Sequence, residues 1–153
     1  MEVKVRDAMS RHIETLTPNA SVEEAARRMA QRGIGYFPVC DRGVLIGIIT
    51  DRDIACRVVA DRHKVKKKVA NVMSKGIAYC FDDDNLMTAI LLMEQNRIRR
   101  IPVLDRGEHL VGVLSLTDIA RHAPHRLTAE ILEAVSREAP LSVTINPAGD
   151  LLR

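Results

Sequence analysis

Residues 47–54 read GIITDRDI, and residues 112–119 read GVLSLTDI. Each stretch holds a glycine, an apolar run suited to a strand, a hydroxyl residue, and an aspartate three places on. Thr50 with Asp53, and Ser115 with Asp118, fit a helix-capping box, in which each side chain accepts from the other residue's backbone N–H. The same groups also suit a nucleotide. A hydroxyl beside the first free amides of a helix can meet a phosphate, and a carboxylate one turn on can accept from paired ribose hydroxyls. Gly47 and Gly112 leave room on the strand for a ligand or for another backbone.

The likeness extends outward. Met9-Ser10 recurs as Met73-Ser74, Pro38-Val39 as Pro102-Val103, and Asp41-Arg42-Gly43 as Asp105-Arg106-Gly107, all at a spacing of 64. One residue is then added in the RGEHL turn, so that Asp53-Ile54-Ala55 meets Asp118-Ile119-Ala120 at a spacing of 65. Within each copy a lead-in carrying Asp7-Ala8-Met9 or Asn71-Val72-Met73 precedes a short strand, near 13–16 or 78–81. An amphipathic helix follows. Val22, Ala25, Ala26 and Met29 lie at i, i+3, i+4 and i+7, and Leu86, Ala89, Ile90 and Met93 repeat the spacing. Ser21 with Glu24 forms a capping box there, and Asn85 caps the second copy. The Phe37-Pro38-Val39 and Ile101-Pro102-Val103 strands are expected at a sheet edge or to begin at the proline, because proline has no N–H for a ladder. A hairpin and a last helix complete each unit as β-α-β-β-α.

The expected fold is therefore α+β, sandwich-like: two pseudo-symmetric units packed sheet to sheet. The units span 1–61 and 69–122, joined by a basic linker at 62–68 that is either solvated or an electropositive rim. An accessory helix over 128–137, which packs on the body or on a second subunit, and a tail occupy 123–153. A unit of this size buries little apolar surface alone, so the pair is read as one folded body.

Composition excludes several classes. Of 153 residues only 3% are aromatic and none is tryptophan, too few rings for a base-stacking platform. The net charge of +3 tolerates anions without demanding nucleic acid. Cys40, Cys56 and Cys80 are odd in number and lack CxxC spacing, which argues for buried free thiols in a reducing cytoplasm rather than a disulfide framework or a zinc site. No stretch approaches the ~18 apolar residues of a membrane helix. His122 and His125 are separated by Pro124, which is expected to end the helix between them. No carboxylate pair, serine–histidine arrangement or P-loop suggests catalysis.

Two ordered copies of these motifs resemble a pair of CBS domains, a Bateman module, over about residues 1–122. The resemblance implies a regulatory, non-catalytic module, commonly homodimeric, whose clefts take adenosine-containing ligands: AMP, ADP, ATP, S-adenosylmethionine or a dinucleotide. No cofactor is required, and the protein that responds is not specified. Carried onto this sequence, the ribose and phosphate contacts would be Thr50, Arg52, Asp53, Ser115 and Asp118. The base pockets would be Tyr36, Phe37 and Pro38 with Thr15 and Thr17, and Arg100, Ile101 and Pro102 with Ala78 and Tyr79. Arg52, Arg97, Arg99 and Arg100 are either phosphate partners or solvated charges. The copies differ where Tyr36 faces Arg100 and Arg52 faces Thr117 in the alignment of repeats, so the two clefts need not bind alike. The rival readings are a scaffold with vestigial clefts and, less favoured by the charge, a nucleic-acid binder.

Overall fold

A computed structural model describes residues 3–62, 66–123 and 125–136, leaving aside the side chains of 125–127 and 135. The tail after 136 lies outside the described residues. The elements run α1 (Val5–Ala8), α2 (Val22–Arg32), β1 (Tyr36–Asp41), β2 (Val44–Thr50), α3 (Asp51–Ile54), β3 (Cys80–Phe81), α4 (Leu86–Asn96), β4 (Arg100–Leu104), β5 (Leu110–Ser115), α5 (Leu116–His122) and α6 (His125–Ser136). A π-helical turn over Ala55–Val59 extends α3, and a 3-10 turn covers Val69–Asn71. The architecture is the expected mixed α+β pair of units.

The apolar stripes read from the sequence face inward. Val22, Ala25 and Met29 of α2 are buried, with Ala26 at the margin, and Leu86, Ala89, Ile90 and Met93 of α4 are all buried. Asn85 caps α4 by accepting from the Met87 N–H at 2.9 Å. Ser21 accepts from the Glu24 N–H at 3.0 Å, but Glu24 does not complete a box. The start of α2 is instead held by the linker: the Val22 N–H donates to the Lys67 carbonyl at 2.9 Å. The basic stretch is thus partly docked on the first unit. Lys68 also donates to the Asn19 side chain at 3.0 Å.

Of the two proline strands, β4 is not an edge, while β1 lies in a two-stranded sheet and gains a single bridge on its outer side. β4 is the middle strand of the order β3-β4-β5, parallel to β3 and antiparallel to β5. β1 pairs with β2 on one side and with Leu16 on the other, where the expected strand over 13–16 contracts to a single bridge. The reason the prolines are tolerated is register. The Leu16 N–H donates to the Pro38 carbonyl, and the Cys40 N–H donates back to Leu16. The parallel contact is therefore centred on Val39, and the missing proline donor falls just before pairing begins. In the second unit Cys80 pairs with Val103, one residue past Pro102, in the same way.

The lead-ins cross over. Ser10 exchanges both backbone hydrogen bonds with Val113 of β5, at 2.9 and 3.0 Å, and Ser74 does the same with Ile48 of β2, at 2.8 and 3.0 Å. Val5, Ala8 and Met9 are buried among residues of the second unit, from Cys80 to Ile131. Val69, Val72 and Met73 are buried with Leu16, Phe37, Ile49 and Val58 of the first. Each lead-in thus completes the core of the other copy. This is what the glycines are for. A Cβ on Gly47 would lie 2.6 Å from Met73 Sδ and 2.8 Å from the Ser74 carbonyl oxygen, and one on Gly112 would overlap Met9 Sδ. Of the two uses the sequence left open, close approach of another backbone is the one observed.

The accessory helix packs on the body. Ile131 of α6 is buried in the second core, while Leu132 is exposed. The cysteines depart from expectation: only Cys80 is buried, with burial pushing its thiol up to about 12, whereas Cys40 is half-buried and Cys56 exposed. Among the described residues no helix is long and apolar enough to cross a membrane.

Gly47→Ala tests the crossover. Alanine would recover about 0.5–1 kcal/mol of glycine's backbone entropy, but its Cβ must displace the Ser74 backbone. Overpacking of this kind costs about 1–3 kcal/mol. Net destabilisation in urea unfolding is expected, while a variant as stable as the wild type would show that the lead-in is not held against β2.

Candidate functional site

The two hydroxyl–aspartate pairs form complete capping boxes. Thr50 Oγ1 accepts from the Asp53 N–H at 3.1 Å, and Asp53 Oδ2 accepts from the Thr50 N–H at 3.0 Å. Ser115 Oγ accepts from the Asp118 N–H at 3.2 Å, and Asp118 Oδ2 accepts from the Ser115 N–H at 2.9 Å. The capping interpretation therefore holds at both positions, and what remains for a ligand depends on the other carboxylate oxygen.

Here the copies part. Asp53 Oδ1 pairs with Arg57 Nη2 at 3.3 Å, and the same guanidinium donates to the Val72 carbonyl at 2.7 Å. Both oxygens of Asp53 are thus engaged within the protein. At the position of Arg57 the second copy has His122, whose ring nitrogen lies 2.8 Å from the Asp118 backbone carbonyl. Among the described residues nothing pairs with Asp118 Oδ1, because the Ser115 hydroxyl also donates to Oδ2, at 2.6 Å. One carboxylate is satisfied internally, while the other keeps a free acceptor.

Asp118 lines a cleft of about 290 Å³ at the seam of the units. β5 and α5 contribute Val113, Ser115 and Thr117, and the start of β4 contributes Arg100. The first copy supplies Ile34, Tyr36 and Pro38, and the chain leaving the crossed-over lead-in supplies Ser10, His12, Ile13 and Glu14. Ile13, Ile34, Pro38 and Val113 make an apolar wall, and the polar groups converge from several elements, as small-molecule clefts require.

Two groups in the cleft are electrostatically distinctive. The Tyr36 hydroxyl is buried with no hydrogen-bond partner among the described residues, and burial raises its pKa strongly against the opposing pull of Arg100. An orphaned buried hydroxyl costs about 1–3 kcal/mol, which a ligand or water acceptor would recover. Glu14 is held by Arg28 at 3.0 Å and Arg32 at 2.8 Å. The hydrogen bond from Arg28 is the leading reason that its carboxyl stays below the ordinary 4.5. Arg28 also lies 4.8 Å over the Phe37 ring, so this part of the wall is braced from behind.

The remaining expected site residues divide sharply. Phe37 and Ile101 are fully buried in the two cores and cannot touch a ligand. Their side chains alternate to the opposite face from Tyr36, Pro38 and Arg100, the period-2 consequence of lying on a strand. Thr15 and Thr17 line a second cleft of about 450 Å³, with Arg11, Ile13, Cys40, Arg42, Gly43, Leu110 and Val111. Ala78 packs against the second core, and exposed Tyr79 stacks edge-on against Phe81. Pro102, Ala78, Tyr79, Thr50, Arg52 and Asp53 line neither of these two clefts. Arg97 and Arg99 are exposed and also line neither, leaving Arg100 as the arginine of the seam cleft. Among the described residues no cluster suited to a metal ion is present. His125 lies outside that description, its side chain being among those left aside.

Sequence reasoning missed Ser10, His12, Ile13 and Glu14. The available signal was the recurrence of Met-Ser in both lead-ins, which marks a segment under structural constraint but not the unit it joins.

A chain built this way belongs to the CBS domain family, whose sequence pattern matches residues 5–60 and 69–125. It is 40% identical over 116 residues to the CBS domain-containing protein YhcV of Bacillus subtilis, covering 76% of this chain and 82% of that protein. It is 31% identical over 133 residues to Hypoxic response protein 1 of Mycobacterium tuberculosis, covering 85% of this chain and 92% of the relative. Among solved structures, the CBS domain pair of protein MJ0100 in complex with 5′-methylthioadenosine and S-adenosyl-L-methionine superposes with a TM-score of 0.71 at 29% identity, over 80% of this chain and 96% of that one.

The Glu14 cluster gives a direct pH test. A depressed folded pKa means that the stability Glu14 contributes is present above its ordinary 4.5 and is lost as pH falls through the lower folded value. Carbon-detected NMR titration should place Glu14 below 4.5 in the wild type and return it towards that value in Arg28→Met. An unchanged titration in Arg28→Met would contradict the brace.

Proposed function

We propose that this chain is a non-enzymatic sensor that binds an adenosine-containing small molecule in the seam cleft beside Asp118. The observation that carries the proposal is the free Oδ1 of Asp118, beside the helix cap Ser115 and in the same cleft as Tyr36, whose hydroxyl is unpaired. A ribose offers two adjacent hydroxyl donors to a carboxylate. The apolar wall of Ile13, Ile34 and Pro38 suits a purine face, while Arg100 and Thr117 suit a polar substituent on the 5′ side. The complex of the MJ0100 pair with 5′-methylthioadenosine and S-adenosyl-L-methionine supports the ligand class.

In this proposal the cleft beside Asp118 works and Asp53 is structural, its second oxygen already taken by Arg57. Because the cleft is walled by both copies, an occupant that prefers one arrangement of the seam shifts the module towards it, and only its differential affinity can do so. A protein partner would read that change. Exposed Met87 and Leu91 on α4, with Leu132 on α6, support the homodimer that the family resemblance implies.

Calorimetry with 5′-methylthioadenosine, S-adenosylmethionine, AMP and ATP tests the proposal. At least one should bind the wild type, and Asp118→Ala should weaken it about tenfold, or about 1.4 kcal/mol. The 2′-deoxy analogue should lose much less. Asp53→Ala removes an equivalent cap and controls for the stability loss, with affinity unchanged. Absence of binding across the panel would favour a scaffold with idle clefts, and equal losses in the two aspartate variants would contradict the ribose contact.

A further inference from the structure

The second cleft carries an inference of its own, through a comparison the molecule makes with itself. Arg42 and Arg106 occupy equivalent places in the hairpin turns of the two copies. Arg106 is fully engaged. Its guanidinium pairs with Asp83 at 2.7 Å and Asp84 at 3.3 Å and lies 4.0 Å over the Phe81 ring. At the 64-residue spacing, the counterparts of Phe81, Asp83 and Asp84 are Thr17, Asn19 and Ala20. The first copy therefore lacks the aromatic platform and both carboxylates but has the arginine. Among the described residues the Arg42 side chain makes no hydrogen bond or ion pair.

Asn19 accepts from Lys68 at 3.0 Å, and of the three counterparts Thr17 faces the second cleft. The cleft of about 450 Å³ is lined by Arg42, Arg11, Thr15, Thr17 and Cys40, and no acidic residue is among those that line it. Arg11 spends one nitrogen on the Arg6 carbonyl at 2.9 Å and keeps its other donors. Two guanidinium groups with rigid donor forks, plus threonine hydroxyls, suit a multiply charged oxyanion. Arg42 also sits at φ 49°, a left-handed turn position that arginine adopts only at some cost.

We infer that this cleft is a second ligand site, for a small molecule bearing a di- or polyanionic phosphate or carboxylate group that pairs with Arg42 and Arg11 as Asp83 and Asp84 pair with Arg106. Ile13 lines both this cleft and the one beside Asp118, so the two adjoin at that residue. The site does not depend on the adenosine proposal.

Cys40 reports its occupancy. Its thiol lines the cleft, and burial raises its pKa, so it reacts slowly, while exposed Cys56 serves as a reference within the same chain. The full chain would be alkylated with the uncharged reagent N-ethylmaleimide, and each cysteine followed by peptide mass spectrometry. Inorganic pyrophosphate and citrate are the two probes, against sodium chloride of matched ionic strength. At least one probe should slow modification of Cys40 about fivefold or more, leave Cys56 unchanged, and lose its effect in the Arg11→Gln, Arg42→Gln double variant. Preference for pyrophosphate would assign a phosphoryl ligand, and preference for citrate a carboxylate one. Protection should persist in Asp118→Ala, which separates this site from the adenosine cleft. No protection by either probe, or equal protection in the double variant, would overturn the inference.

Discussion

The reciprocal contact of each Met-Ser lead-in with a glycine on the far unit is the constraint from which the rest follows. Ser10 can pair with Val113, and Ser74 with Ile48, only because Gly112 and Gly47 put no side chain in the way. The exchange buries Met9 and Met73 in cores that their own copies do not form. It also fixes where the chain emerges. From Ser10 it runs directly through His12, Ile13 and Glu14, which become one wall of the seam cleft. A tie between units and the wall of the seam cleft are thus the same stretch of backbone.

This arrangement gives the repeat its asymmetry. Pseudo-symmetry supplies two copies of these devices, and a few residue differences then change what each side chain meets. Arg57 closes Asp53, while His122 leaves Asp118 open. Asp83 and Asp84 close Arg106, while Asn19 and Ala20 leave Arg42 open. In both cases an internal partner in one copy marks the chemistry that an external ligand would supply in the other.

Much of this was legible in the sequence. The helical stripes of α2 and α4, the capping boxes at Thr50 and Ser115, and the hairpins follow from local spacing, which the folded chain cannot contradict without burying polar groups. Long-range decisions were less accessible. That the strand of Pro102 is central, and that the strand of Pro38 takes a bridge on its outer side, depends on where Cys80 and Leu16 begin to pair, and no local signal sets that register. That Phe37 and Ile101 face the cores follows from strand alternation once the neighbours are known. The crossover was visible only as a repeated Met-Ser whose destination the sequence does not state. The Arg57–Asp53 pair was in plain view at i, i+4 spacing, and it proved the more informative difference beside the Arg52–Thr117 mismatch.

Because both units depend on the crossed lead-ins, they should open as one. Native-state hydrogen exchange at the amides of Ser10, Ile48, Ser74 and Val113, followed through low denaturant, measures this directly. The account predicts that all four exchange only through global unfolding, with one common free energy and denaturant dependence. Exchange of Ser10 and Val113 through a separate, lower-energy opening, with Ile48 and Ser74 still protected, would contradict it.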